Sequence, residues 1–210
     1  MTQIDQGAVI EMLKTTPSRV ASASRGLSDR ELNWKPAADS WSANEILAHL
    51  RACSDVWGGS IMKILKQDNP TFRYVSPRTW IRKTNYLDLD FKPSFLALRN
   101  QREDLRKILQ ALPQEDWLRR ANVKAATKLR DETVLSYAQR LAGHEAGHCE
   151  QIDRVLHARF CWANEDNSRK VAKGRVIGPR RVLPATTRPY AVREDYRRGS
   201  DLIVALFSAT

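Results

Sequence analysis

Apolar residues recur at steps of three and four through most of residues 6–162, the spacing of helices that bury one face. Val9, Ile10, Leu13 and Val20 mark a first helix over 6–26, with Pro17 expected to kink or shorten it and Gly26 to stop it. A polar connector, 27–39, carries Trp34, Lys35 and Pro36. The second helix opens on strong punctuation. Ser42-Ala43-Asn44-Glu45 has the form of a capping box, flanked by Trp41 and Ile46 at the positions of a hydrophobic staple. Its inward face reads Ile46, His49 or Leu50, Cys53, Trp57, Ile61 and Ile64.

From 67 to 92 the pattern breaks around Pro70 and Pro77, which predicts a long crossover with one helical turn at 78–84. A third helix follows over 93–112, with Phe95, Leu98, Leu105, Leu109 and Leu112 inward and Pro113 closing it. Residues 114–117 predict a short helical turn, and the polar stretch 122–130 reads as loop. The fourth helix starts at Asp131 or Thr133 and runs to Phe160 or Trp162, with an inward stripe of Tyr137, Leu141, His144, His148, Ile152 and Val155. Beyond Trp162 the periodicity fails. The expectation is an all-α domain over 1–162 followed by an irregular, disordered basic tail over 163–210.

Charge sharpens that division. The chain carries a formal net charge of +11. Ten basic and five acidic residues between 163 and 210 put +5 of it in the tail. Weak attraction of nucleic acid or another polyanion is therefore expected of the tail first. Three cysteines, Cys53, Cys149 and Cys161, are too few and odd in number for a disulfide framework. No apolar run approaches the roughly 20 residues of a membrane span, and the N-terminus lacks a basic-then-apolar leader pattern. The cytoplasm is the expected compartment.

The candidate chemistry lies in Leu141-Ala142-Gly143-His144-Glu145-Ala146-Gly147-His148-Cys149-Glu150-Gln151-Ile152. Histidines four residues apart on a helix lie one above the other and can address one metal ion. Both sit on the inward stripe, and His49 sits on that of the second helix. Inward imidazoles need either hydrogen-bond partners or a metal, so two readings stand: satisfied core groups or ligands. Glu145, Gln151 and Tyr137 lie within a turn of the pair and are the candidate catalytic or substrate-contacting residues. Cys53, one turn after His49, reads first as a buried structural thiol and second as a ligand or nucleophile.

Three blocks together resemble the DinB-like proteins: Leu32-Asn33-Trp34-Lys35-Pro36 with Trp41–Leu50, Leu112–Trp117, and His144-Glu145-x-x-His148-x-x-Gln151-Ile152. The resemblance covers about residues 4–160. It implies a four-helix bundle with one long crossover, often a homodimer. It also implies a divalent-metal site made by His49, His144 and His148, with zinc, nickel or ferrous iron all acceptable to such ligands. Family members of known activity include thiol-dependent transferases, which implies a small-molecule electrophile as substrate and a low-molecular-weight thiol as cosubstrate. Metal-assisted hydrolysis is the second expectation. Two rivals remain: a non-catalytic stress-response scaffold that binds nucleic acid through its tail, and a zinc peptidase, because His144–His148 also spells the HExxH motif.

Overall fold

The computed structural model describes residues 5–125 and 128–172, with side chains through Ala163. The chain divides into two units, Met1–Ala163 and Asn164–Thr210. The core and the candidate site both belong to the first. Of the basic tail, the helical backbone up to Ala172 is described, and residues from 173 onward lie outside the described residues.

Helix α1, Gln6–Ser24, is started by Asp5, whose carboxylate accepts from Ala8 N at 2.7 Å. Pro17 is accommodated within it, and Gly26 takes the left-handed conformation (φ +73°) that turns the chain just past its end. A four-residue helix α2, Asp29–Leu32, interrupts the connector. Helix α3, Ala43–Cys53, passes through a π-helical turn, Ser54–Gly58, into α4, Gly59–Lys66. The crossover holds strand β1, Thr71–Arg73, the short helix α5, Pro77–Trp80, and 3-10 turns at Ile81–Lys83 and Tyr86–Asp88. Helix α6, Phe91–Ala111, and a 3-10 turn, Gln114–Leu118, lead to strands β2, Arg120–Lys124, and β3, Leu129–Thr133. Helix α7 then runs from Val134 to Ala172. Four long helical segments (α1, α3 to α4, α6 and α7) form the bundle. No described helix is long and apolar enough to cross a membrane.

The stretch expected as loop, 122–130, is instead largely the β2–β3 hairpin, and β1 joins it to make a sheet of order β1-β2-β3. β1 pairs parallel with β2, and β2 antiparallel with β3. Only Ala121 and Val123 of β2 point inward, alternating with Arg120, Asn122 and Lys124. Two small apolar residues in five positions are too weak a period-two signal to separate a strand from a polar loop. Both nevertheless pack in the core cluster with Trp117, Ile61, Ile64 and Val134.

The crossover is tied down by one carboxylate. Asp55 Oδ2 accepts from Trp80 Nε1 at 3.0 Å and from the Tyr86 hydroxyl at 2.7 Å, while Oδ1 accepts from Gln101 Nε2 at 2.6 Å. The Arg51 guanidinium lies 3.8 Å from the centre of the Tyr86 ring and donates to Ser94 Oγ at 3.3 Å. The crossover is thereby held against both α3 and α6.

The core is split into two apolar clusters. One contains Leu13, Trp57, Leu105 and Leu141, the other Val20, Leu50, Leu98, Cys149 and Ile152. Between them every bundle segment contributes a buried polar residue: Thr16, Ser54, Arg102 and Glu145. Arg102 Nη2 donates both to Ser54 Oγ at 2.5 Å and to Glu145 Oε1, and the two charged side chains are 1% and 0% exposed. Nε and Nη1 of Arg102 find no acceptor in the described structure. A buried pair is valuable mainly while both members are present, since a lone buried charge keeps its desolvation cost. Arg102→Met or Glu145→Leu alone is expected to cost roughly 3–5 kcal/mol in urea unfolding. The double variant Arg102→Met/Glu145→Leu should recover most of that loss, because it leaves no unpaired charge.

Candidate metal centre

The position of His49 is set by the start of its helix. Ser42 Oγ accepts from Glu45 N at 3.2 Å, and Glu45 Oε2 accepts from Ser42 N at 2.9 Å, completing the capping box. Glu45 also pairs with Lys35 at 2.6 Å, so its carboxylate is committed to the cap and does not reach His49. Lys35 and the cap hold its pKa below the ordinary value against the upward pull of burial. Further along, Cys53, Trp57 and Ile61 follow at four-residue steps. On a helix advancing about 100° per residue each such step overshoots by about 40°. The wider π turn at Ser54–Gly58 absorbs the overshoot and keeps all three residues buried.

On α7 the fully buried track is Leu141, Glu145, Cys149 and Ile152. His144 and His148 lie beside that track, half-buried, rather than at its centre. They turn toward α3, where His49 is buried. His144 Nε2 lies 3.0 Å from His49 Nε2 and 3.0 Å from His148 Nε2. One Nε2 carries either a single hydrogen or a single lone pair, so both contacts cannot be good hydrogen bonds at once. His148 Nδ1 donates to Gln151 Oε1 at 2.7 Å, which fixes the tautomer and leaves the lone pair of its Nε2 facing His144. Cys53 Sγ is 3.4 Å from His49 Nε2. The donor atoms of His49, Cys53 and His144 lie within 4.8 Å of one another.

Aromatic walls enclose the cluster. Trp41, the staple residue, lies 5.1 Å from the His49 ring and stacks at 6.1 Å on His148, and Trp57 meets the His144 ring edge-on at 4.9 Å. Burial lowers the pKa of His49 to about 3, with further help from the charges of His148 and Arg78. His144 is lowered to about 2, again first by burial and then by His148, His49 and Arg78. His148 is lowered by burial, against an upward pull from Gln151. The Cys53 thiol is pushed well up by burial and by the Glu145 carboxylate. At neutral pH the cluster is uncharged and rich in lone pairs.

The other candidates separate cleanly. Gln151 is at the cluster through its bond to His148. Glu145 is not: it points into the polar layer, where burial pushes its carboxyl up while Arg102 and Thr16 pull it down. Tyr137 packs in the core, 1% exposed, with Arg140 at 5.0 Å from its ring and its hydroxyl by Ser60. Sequence reading missed Arg102 and Ser54. The signal was present in the third-helix stripe, where Leu98 and Leu105 leave a turn between them that Arg102 fills.

The arrangement defines a class: a four-helix bundle with a long crossover and a cluster of inward imidazoles shared between its second and fourth segments. The chain belongs to the DinB superfamily, whose family model matches residues 12–152. It is also similar in fold to YfiT from Bacillus subtilis, described as "a probable metal-dependent hydrolase with an unusual four-helix bundle topology". That likeness has a TM-score of 0.61 at 16% identity, over 75% of this chain and 89% of that one. No curated protein matches the chain.

The lowered histidine values carry a pH consequence for the metal-free protein. In the unfolded chain His49 takes up its proton near pH 6.5, but in the folded chain only near pH 3. Unfolding therefore gains protons between those values, and stability falls as pH is lowered through that window. Urea unfolding in the presence of a chelator should show this decline, with a shallower slope in His49→Ala than in the wild type.

Proposed function

We propose that the chain is a divalent-metal-dependent enzyme of the DinB superfamily, with His49, His144 and His148 as ligands and a small electrophilic molecule as substrate. The observation that carries this reading is the convergence of imidazole nitrogens that cannot satisfy one another as hydrogen bonds. A cation in their midst would relieve opposed lone pairs, and neutral imidazoles are the form that binds metal. The donor chemistry thus fits the ion. A divalent ion held there supplies Lewis acidity, which lowers the pKa of a bound water or thiol and makes it a nucleophile at neutral pH.

The chain's own residues have supporting parts in this reading. Gln151 holds His148 in the tautomer whose Nε2 is free to ligate, the usual role of a residue just outside a metal's ligands. Trp41 and Trp57 keep the imidazoles out of bulk water, which strengthens electrostatic effects inside. Among the described residues no carboxylate joins the donor group, so the proton of an acidified water or thiol would pass to solvent rather than to a side-chain base in that group. Water as nucleophile gives hydrolysis, the activity named for the YfiT neighbour, and a low-molecular-weight thiol gives transfer. The peptidase reading is disfavoured, because Glu145, which would have to activate water, is spent on Arg102.

Elemental analysis of protein expressed in zinc-, nickel- or iron-supplemented medium is expected to give about one ion per wild-type chain. His49→Ala and His144→Ala should each lose it. Gln151→Leu should keep the ion while weakening affinity by about 10–100-fold. Wild-type protein that remains metal-free after reloading with these ions would overturn the reading.

A further inference from the structure

Cys53 stands apart from the other two cysteines. Cys149 is buried in an apolar cluster with Ile46, Leu50 and Ile152. Cys161 is exposed, with His157 at 3.6 Å, and among the described residues the two belong to no group of three donors. Cys53 is fully buried, one helical turn beyond His49, with its sulfur turned toward the imidazole nitrogens rather than only into the surrounding aliphatic core. An apolar thiol has no need of such a neighbour.

The spacing can be compared with what an ion would require. A tetrahedral zinc with nitrogen at about 2.0–2.1 Å and sulfur at about 2.3 Å has nitrogen–nitrogen edges of about 3.3 Å and nitrogen–sulfur edges of about 3.5 Å. The structure has 3.0 Å for His49–His144, 3.0 Å for His144–His148 and 3.4 Å for Cys53–His49. These three contacts have the lengths of tetrahedral edges, slightly contracted. His49, His144 and Cys53 form one donor group, their ligand atoms all within 4.8 Å of one another, and His148 adjoins it through His144 at 3.0 Å.

We infer that Cys53 is a fourth protein ligand, so that the ion is held by three imidazole nitrogens and one thiolate. The inference rests on the metal reading of the histidine cluster and refines it. Binding would release the thiol proton to solvent as the metal–sulfur bond forms, with no change of oxidation state. A nitrogen-and-thiolate set favours thiophilic ions such as zinc and cobalt over magnesium and manganese. Four protein donors also change how a substrate enters: it adds as a fifth ligand, an expansion zinc tolerates.

Cobalt(II) titration of the full-length, chelator-stripped protein tests this with a spectroscopic readout. Wild type is expected to show visible d–d bands together with a near-ultraviolet thiolate-to-cobalt charge-transfer band. Cys53→Ser and Cys53→Ala should retain d–d bands, lose the charge-transfer band, and bind zinc about tenfold or more weakly. Cys149→Ser should keep both features. Wild-type protein that binds cobalt with d–d bands alone overturns the inference and leaves the three-histidine reading standing. A charge-transfer band that survives in Cys53→Ala also overturns it. Wild type that binds no cobalt overturns the metal reading and this inference together.

Discussion

The buried contact of Arg102 with Glu145 and Ser54 is the constraint around which the bundle is arranged. It sits where two apolar clusters meet, and it ties α6 to α7 and to the π turn after α3. Apolar packing tolerates small slides along a helix; a charge pair in low dielectric does not, because every ångström of separation is felt. The pair therefore specifies the relative height of three helices. His49 and Cys53 precede Ser54 by less than two turns, and His144 is the residue next to Glu145. The heights that the ion pair sets are the heights at which the imidazoles meet.

Two further devices refine that placement. The capping box fixes where α3 begins, and the π turn fixes the phase in which it continues. Asp55, inside the same turn, draws in the crossover through Trp80 and Tyr86. One short stretch, Ser54 to Trp57, thus touches the ion pair, the crossover and the His144 ring in turn. Such concentration of roles explains why the helix departs from regular α geometry there and nowhere else along its length.

Much of this was legible in the chain itself. The staple and capping box around Ser42, the three- and four-residue apolar steps and the turn at 78–84 all reflect local physics that acts within a few residues. The hairpin was not legible, because among the described residues its buried apolar positions are only Ala121 and Val123, and they pack partly against Ile61 and Ile64, far earlier in the sequence. The burial of Glu145 against Arg102 was hidden for a related reason. A carboxylate beside a histidine reads as site or surface, and only the arginine 43 residues earlier makes the core tolerable for it. The half-buried histidines reflect the same limit, since a stripe of spacing cannot distinguish the centre of a helix face from its shoulder.

The parallel pairing of β1 with β2 also bears on how the chain is assembled in time. Thr71 is in register with Asn122, about fifty residues later. During synthesis β1 has no partner strand until the whole of α6 has been made, and closing that loop carries an entropic cost that local helices do not face. The first three helical segments can gather while the crossover still trails an open strand edge, the kind of edge that invites pairing with another chain. The sheet is thus one of the non-local steps of the fold, beside the still longer-range meeting of His49 with His144. Crowded nascent chains would be most exposed to mispairing between the emergence of residue 73 and that of residue 124.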